Sequence, residues 1–179
     1  MSPQTIFQLQ LVMGYVAWLL VFGVYVRPRL QAMDQVDAHR AIATLHSFRF
    51  FGLVFILPGV VGTLPVDFAT FAAYWDLATG VLAIGALLTV RIRPLFWFFV
   101  VAFNLVGTTD LLLDYYHATR VHLPEIAGQL GAAYVIPVIY VPALMITHLT
   151  AFYLLMRRQV SADDRLHDRG ETRNELKLS

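Results

Sequence analysis

The chain's 179 residues are 58% hydrophobic and only 14% charged, with a mean hydropathy of +0.64, a balance that excludes an ordinary soluble domain and marks a membrane protein. Thirteen Lys and Arg against 12 Asp and Glu leave a formal charge of +1, which offers no electrostatic reason to expect nucleic acid as a partner. The absence of cysteine excludes disulfides, iron–sulfur clusters, thiolate-ligated haem and c-type haem attachment, and the single lysine, Lys177 in a polar tail, excludes an intramembrane Schiff base.

Five stretches are long and apolar enough to cross a hydrocarbon core of about 30 Å, which takes roughly 20 helical residues. They run from Thr5 to Val26, Ala41 to Val61, Phe68 to Val90, Leu95 to Tyr115, and Leu130 to Met156. The first carries no basic residue in its leading MSPQT and no small-residue cleavage pattern before Arg27-Pro28, so it is read as a retained helix rather than a signal peptide. Residues 27–40, RPRLQAMDQVDAHR, are expected to prolong the second span as a polar helical turn or two. Residues 116–129, with Pro124 and Gly128, form the largest loop on the opposite side. Pro58-Gly59 in span two and Pro137 and Pro142 in span five free backbone carbonyls one turn earlier, which predicts a kinked fifth helix. Small residues at Gly80, Ala83 and Gly85 in span three and Gly107 in span four allow close helix contacts or a homodimer.

The expected fold is therefore an all-α, polytopic five-helix bundle over residues 1–156, followed by a polar cytoplasmic tail over residues 157–179. That tail holds six basic and five acidic side chains. Basic residues set the orientation. Eleven of the thirteen lie in the loops after spans one and three and in the tail, while Arg120 faces the other side and Arg49 is inside a span, which places the N-terminus outside and the C-terminus in the cytoplasm. Five spans do not divide into two equal inverted halves.

The polar residues inside the spans carry the functional argument, because ionisable groups at such depth are expensive in lipid and usually face a protein interior, a wet cavity or a cofactor. Counted at about 1.5 Å per residue, His46 and Arg49 lie roughly 8 and 12 Å in from the cytoplasmic boundary and His148 about 12 Å in from the same side. Asp76 and Asp110 come out roughly 12 and 8 Å in from the opposite boundary, with Asn104 near the midplane. Two layers are thus predicted, one ligating or cationic and one acidic.

His46 and His148, on different helices at one depth, have the arrangement that a low-spin haem b needs above and below its iron, with Arg49 near a propionate. Phe48, Phe50, Phe51 and Trp97 would wall the macrocycle. The competing reading has Arg49 reach the headgroups while each histidine bonds a hydroxyl such as that of Thr44 or Thr147. In the acidic layer Asp76, Asp110 and Asn104 suit a proton relay or a cation site, or else the carboxylates bridge helices through Tyr74, Thr108 or Thr109. Asp114, His117 and His122 lie near the outer surface, as solvated edge residues or a weak metal site.

The runs LHSFRFFGLVFILPGVVG, LPVDFATFAAYWDL, FNLVGTTDL and YVIPVIYVPALMITH resemble a family of small bacterial multi-pass membrane proteins that carry no assigned activity. The resemblance covers about two-thirds of the chain and implies a bacterial cytoplasmic (inner) membrane. It draws attention to His46, Arg49, Asp76, Asn104, Asp110 and His148 without supplying a role for any of them.

The leading expectation is a small membrane protein that binds haem b, its iron held by His46 and His148, for electron transfer with a membrane redox partner or for redox sensing. The first alternative is a proton-coupled transporter or channel using Asp76 and Asp110, and the second a non-catalytic partner or assembly subunit. No nucleophile elbow, phosphate-binding glycine loop or H-E-x-x-H motif is present, so a cofactor-binding protein is favoured over a hydrolase or transferase.

Overall fold

The computed structural model describes residues 1–157; the expected polar tail falls almost wholly outside them. Regular structure within that range is helical, and four helices are long and apolar enough to cross a membrane. We number the helices α1 (Pro3–Ala32), α2 (Gln35–His46), α3 (Val66–Leu88), α4 (Arg93–Arg120) and α5 (Ile136–Arg157).

The second apolar stretch of the sequence, Ala41 to Val61, does not form the continuous α-helix expected of it. The α-helix ends at His46, and a ten-residue 3-10 helix, Ser47–Ile56, takes over. Such a length is uncommon, because 3-10 hydrogen bonds are poorly aligned. Its geometry explains its use. His46, Arg49, Gly52 and Phe55 are all buried and recur every three residues, the period at which 3-10 side chains eclipse. In an α-helix His46 and Phe55 would diverge by about 180°. Phe48, Phe50 and Phe51 are exposed, so the tight turn also separates a polar inner face from an aromatic outer one.

Prolines and one glycine set the remaining departures. Residues 27–32 continue α1 instead of prolonging the second span, after a π-helical turn at Phe22–Val26 that widens the helix one turn before Pro28. Gln35–Arg40 do prolong α2 as expected, starting from Asp34, whose side chain caps the amides of Val36 and Asp37 at 2.8 and 2.9 Å. The last crossing helix starts at Ile136, not Leu130, because the 3-10 segment Ala127–Tyr134 breaks at Gly131 (φ 52°, ψ −130°). A π-helical turn, Ile136–Tyr140, then precedes Pro142, which leaves the Val138 carbonyl without its helical donor. Gly14 of α1 presses against that carbonyl so closely that a β-carbon would collide with it.

Two apolar cores result. One gathers Phe7, Phe55, Phe68, Leu123, Leu130 and Ile136. The other gathers Leu30, Ile42, Ala83, Phe96, Phe103 and Leu154. Along the chain, buried polar residues fall between the contributions to the two cores: Arg49 between Ile42 and Phe55, Asp76 between Phe68 and Ala83 on α3, and His148 between Ile136 and Leu154 on α5, with Asn104 and Asp110 following Phe103 on α4. Gly80 and Gly107, expected to mediate close contacts, do so within the chain.

Candidate functional site: a buried arginine between two carboxylates

Arg49 is fully buried and uses its whole guanidinium. Its Nε donates to Asp76 Oδ1 at 2.5 Å, and one Nη donates to Asp110 Oδ2. The other Nη donates to the Gly107 carbonyl and to His148 Nε2, each at 3.3 Å. Four elements meet on this one side chain. Glycine makes the approach feasible. A β-carbon on Gly52 would run into the Asp76 carboxylate, and one on Gly107 would lie 2.5 Å from His148 Nε2 and 2.7 Å from the Arg49 guanidinium.

The hydrogen bonds fix the histidine tautomers. Asn104 Nδ2 donates to the Val100 carbonyl at 2.8 Å, so its Oδ1 accepts from His148 Nδ1 at 2.9 Å. His148 Nε2 is then the lone pair that accepts from Arg49. Thr147 spends its hydroxyl proton on the carbonyls of Ala143 and Leu144 at 2.9 and 3.0 Å, so it accepts from His46 Nε2 at 3.1 Å. His46 Nδ1 is left buried without a hydrogen-bond partner.

This arrangement does not fit a haem. The imidazoles of His46 and His148 are in ring contact, centroids 4.0 Å apart and planes inclined by 38°, with Phe103 closing on both rings. A bis-histidine haem needs the macrocycle between its ligands, and no slot separates these two. Three of the four ring nitrogens are already hydrogen-bonded, and a guanidinium faces one of them. The aromatic walls fail as well. Phe48, Phe50 and Phe51 point outward, and Trp97 packs edge-on against His39 at the far end of α2.

The two predicted layers are one cluster. Arg49 was expected beside the histidines and Asp76 with Asp110 in a separate layer, but the long side chain bridges the gap between them. The proposed hydroxyl partners of the carboxylates are not used: Tyr74 is exposed and Thr108 Oγ1 is buried without a hydrogen bond. Of the histidine partners anticipated, Thr147 is realised, while Thr44 donates to its own helix at Arg40. His39, not anticipated, is buried and bonded to the Gln35 carbonyl at 2.7 Å. Gly52 was also missed, although the three-residue spacing of His46, Arg49, Gly52 and Phe55 was a signal for it.

Asp114 is not simply a solvated edge residue. It follows Asp110 by one turn of α4, and each carboxylate has a buried Oδ1 without a hydrogen-bond partner. Asp114 and Asp76 both line a cavity of about 210 Å³ beneath α1. His117 instead packs on Phe71, and His122 pairs with Glu125 at 3.7 Å. Among the described residues no group of three or more His, Cys, Asp or Glu side chains could hold a metal ion.

Residues 6–156, the whole helical region that builds this cluster, match the model of a family described as a domain of unknown function, DUF8737. The chain belongs to the DUF8737 family. No curated protein and no solved structure matches it. The DUF8737 region thus contains every residue of the arginine cluster and both apolar cores.

Proposed function

We propose that this DUF8737 protein is a proton-coupled membrane transporter in which Asp76 and Asp110 exchange protons beside the fixed charge of Arg49. The observation that carries this reading is the ratio of charges. One guanidinium lies between two carboxylates, His148 is held as a neutral tautomer by accepting from Arg49, and Asp110 Oδ1 has no donor. An uncompensated charge in such a site costs several kcal/mol, on the order of the penalty for a lone buried ion. Binding one proton removes it. Arg49 does not itself relay protons, since arginine stays charged, and it interrupts the path between the carboxylates and the histidines. That favours a carrier that binds and releases protons over a channel with a continuous proton wire.

The setting is a bacterial cytoplasmic membrane with the N-terminus outside. The second of the five crossings is made by α2 and the 3-10 helix together, whose 12 and 10 residues span about 38 Å at 1.5 and 2.0 Å per residue, more than the hydrocarbon core of about 30 Å. The test is a pH jump on protein reconstituted in a solid-supported membrane. Wild-type protein should give a transient charge displacement that Asp110→Asn and Asp76→Asn reduce at least tenfold while remaining monodisperse. A wild type without that current, or variants that retain it in full, would overturn the proposal.

A further inference from the structure

The cavity beneath α1 has a composition that selects among ligands. Its walls are almost entirely apolar, with Phe7 and Leu11 from α1, Phe55 from the 3-10 helix and Phe68 from α3. Asp76 and Asp114 interrupt that surface. Asp76 is 6% exposed and is the one side chain shared by the cavity and the arginine cluster. Arg49 is not part of the wall, because Asp76, Asp110, Gly107 and His148 surround it. The cavity wall therefore carries the Asp114 carboxylate without a cation beside it, and Asp76 with its cation behind the wall.

Size and charge narrow the ligand. An apolar cavity of about 150 Å³ is large enough for benzene, so about 210 Å³ accommodates a ring with a short substituent. An acid would meet like charge, and a bare metal ion would find too few oxygen ligands. An ammonium group on an apolar body satisfies both parts of the wall. We infer that this cavity binds a small hydrophobic molecule bearing one protonated amine, with Asp114 as its counter-ion and Asp76 behind it. This rests on the transport reading and names its substrate class. Asp76 links the two events, because it lies in the cavity wall and also exchanges protons beside Arg49, so an ammonium bound next to it favours release of its proton.

The experiment measures the binding of benzylamine, benzyl alcohol and benzoate to the purified full chain by calorimetry, first in lipid-free detergent. Benzylamine should bind at least tenfold more tightly than benzyl alcohol, and benzoate should not bind. Asp114→Asn should abolish the preference for the amine while leaving benzyl alcohol binding unchanged, which also reports that the cavity is intact. Equal binding of amine and alcohol by the wild type, a preference that survives Asp114→Asn, or no binding of any probe would overturn the inference.

The ammonium could also come from a lipid headgroup. Nanodiscs of phosphatidylglycerol alone and with phosphatidylethanolamine separate the sources: unchanged benzylamine affinity assigns the site to free amines, and competition by phosphatidylethanolamine assigns it to the headgroup. Either result supports an ammonium site. A pH-jump current without amine binding would leave the transporter and remove this substrate class; amine binding without the current would leave a binding protein and remove proton coupling.

Discussion

Arg49 is placed where its charge is most costly and most fully answered. Removing one partner of a buried ion pair typically costs about 3–5 kcal/mol, because the other charge is left unpaired. Arg49→Met, which keeps an unbranched stem as far as the position of Nε, should therefore lower stability by roughly that amount and by more than any single carboxylate-to-amide change. The check is denaturation in detergent followed by helicity. Adding Asp76→Asn and Asp110→Asn to Arg49→Met should restore part of the loss, since no bare charge then remains; no recovery would mean that packing, not charge, holds the site. Gly107→Ala tests the same point sterically. Its methyl would crowd both the guanidinium and His148, and overpacking of this kind costs about 1–3 kcal/mol. The residue types at His46, Arg49, Asp76, Asn104, Asp110 and His148 were legible in the sequence as buried polar groups. Their pairing was not, since counting along each helix gives depth but neither azimuth nor the reach of a long side chain.

At the scale of elements, the junction between α2 and the 3-10 helix decides the site. An α-helix through Phe55 would carry Gly52 and Phe55 away from the face that holds His46 and Arg49, and the Asp76 carboxylate would lose the glycine it packs against. Tyr140 marks the junction by donating its hydroxyl proton to the Leu45 carbonyl at 3.1 Å. The other end of α2 has a pH-sensitive cap. The Asp37 amide, with that of Val36 and the more distant charges of Arg93 and Arg40, holds the Asp34 carboxyl below its ordinary range. A depressed value means that the cap's contribution is present above the unfolded carboxylate's range and is lost as pH falls through the folded value. The amide chemical shifts of Val36 and Asp37 should then move toward coil values in acid, whereas Asp34→Asn, an uncharged cap, should show no such step. The prolines were legible as breakers. That two of the breaks would be π-helical turns, and one a long 3-10 helix, was not, because these geometries depend on what each face must touch.

For the whole molecule, α1 is the least embedded helix. None of its most apolar 18-residue window is buried, against 39–50% for the other three long helices. It is held by Gly14 against the Val138 carbonyl, by Tyr15 and Tyr115, whose hydroxyls are 2.6 Å apart, and by Tyr134 bonded to Gln10 at 2.5 Å. Gly14→Leu should lift α1 without unfolding the rest. Because the chain has no cysteine, a single Ala118→Cys in the cavity wall reports this cleanly: maleimide labelling should accelerate several-fold in the Gly14→Leu background, with the thermal midpoint of the bundle little changed. Equal labelling rates would show that α1 does not roof the cavity. Composition and hydropathy by themselves determined that the chain is helical and has helices able to cross a membrane, because the cost of exposing backbone and charge to hydrocarbon depends only on which residues are present and how long their apolar runs are. Only the tertiary structure decided that the two histidines touch each other instead of flanking a cofactor, that the arginine and carboxylates form one cluster, and that Asp114 and Asp76 share a cavity, because each depends on the rotation and approach of separate helices.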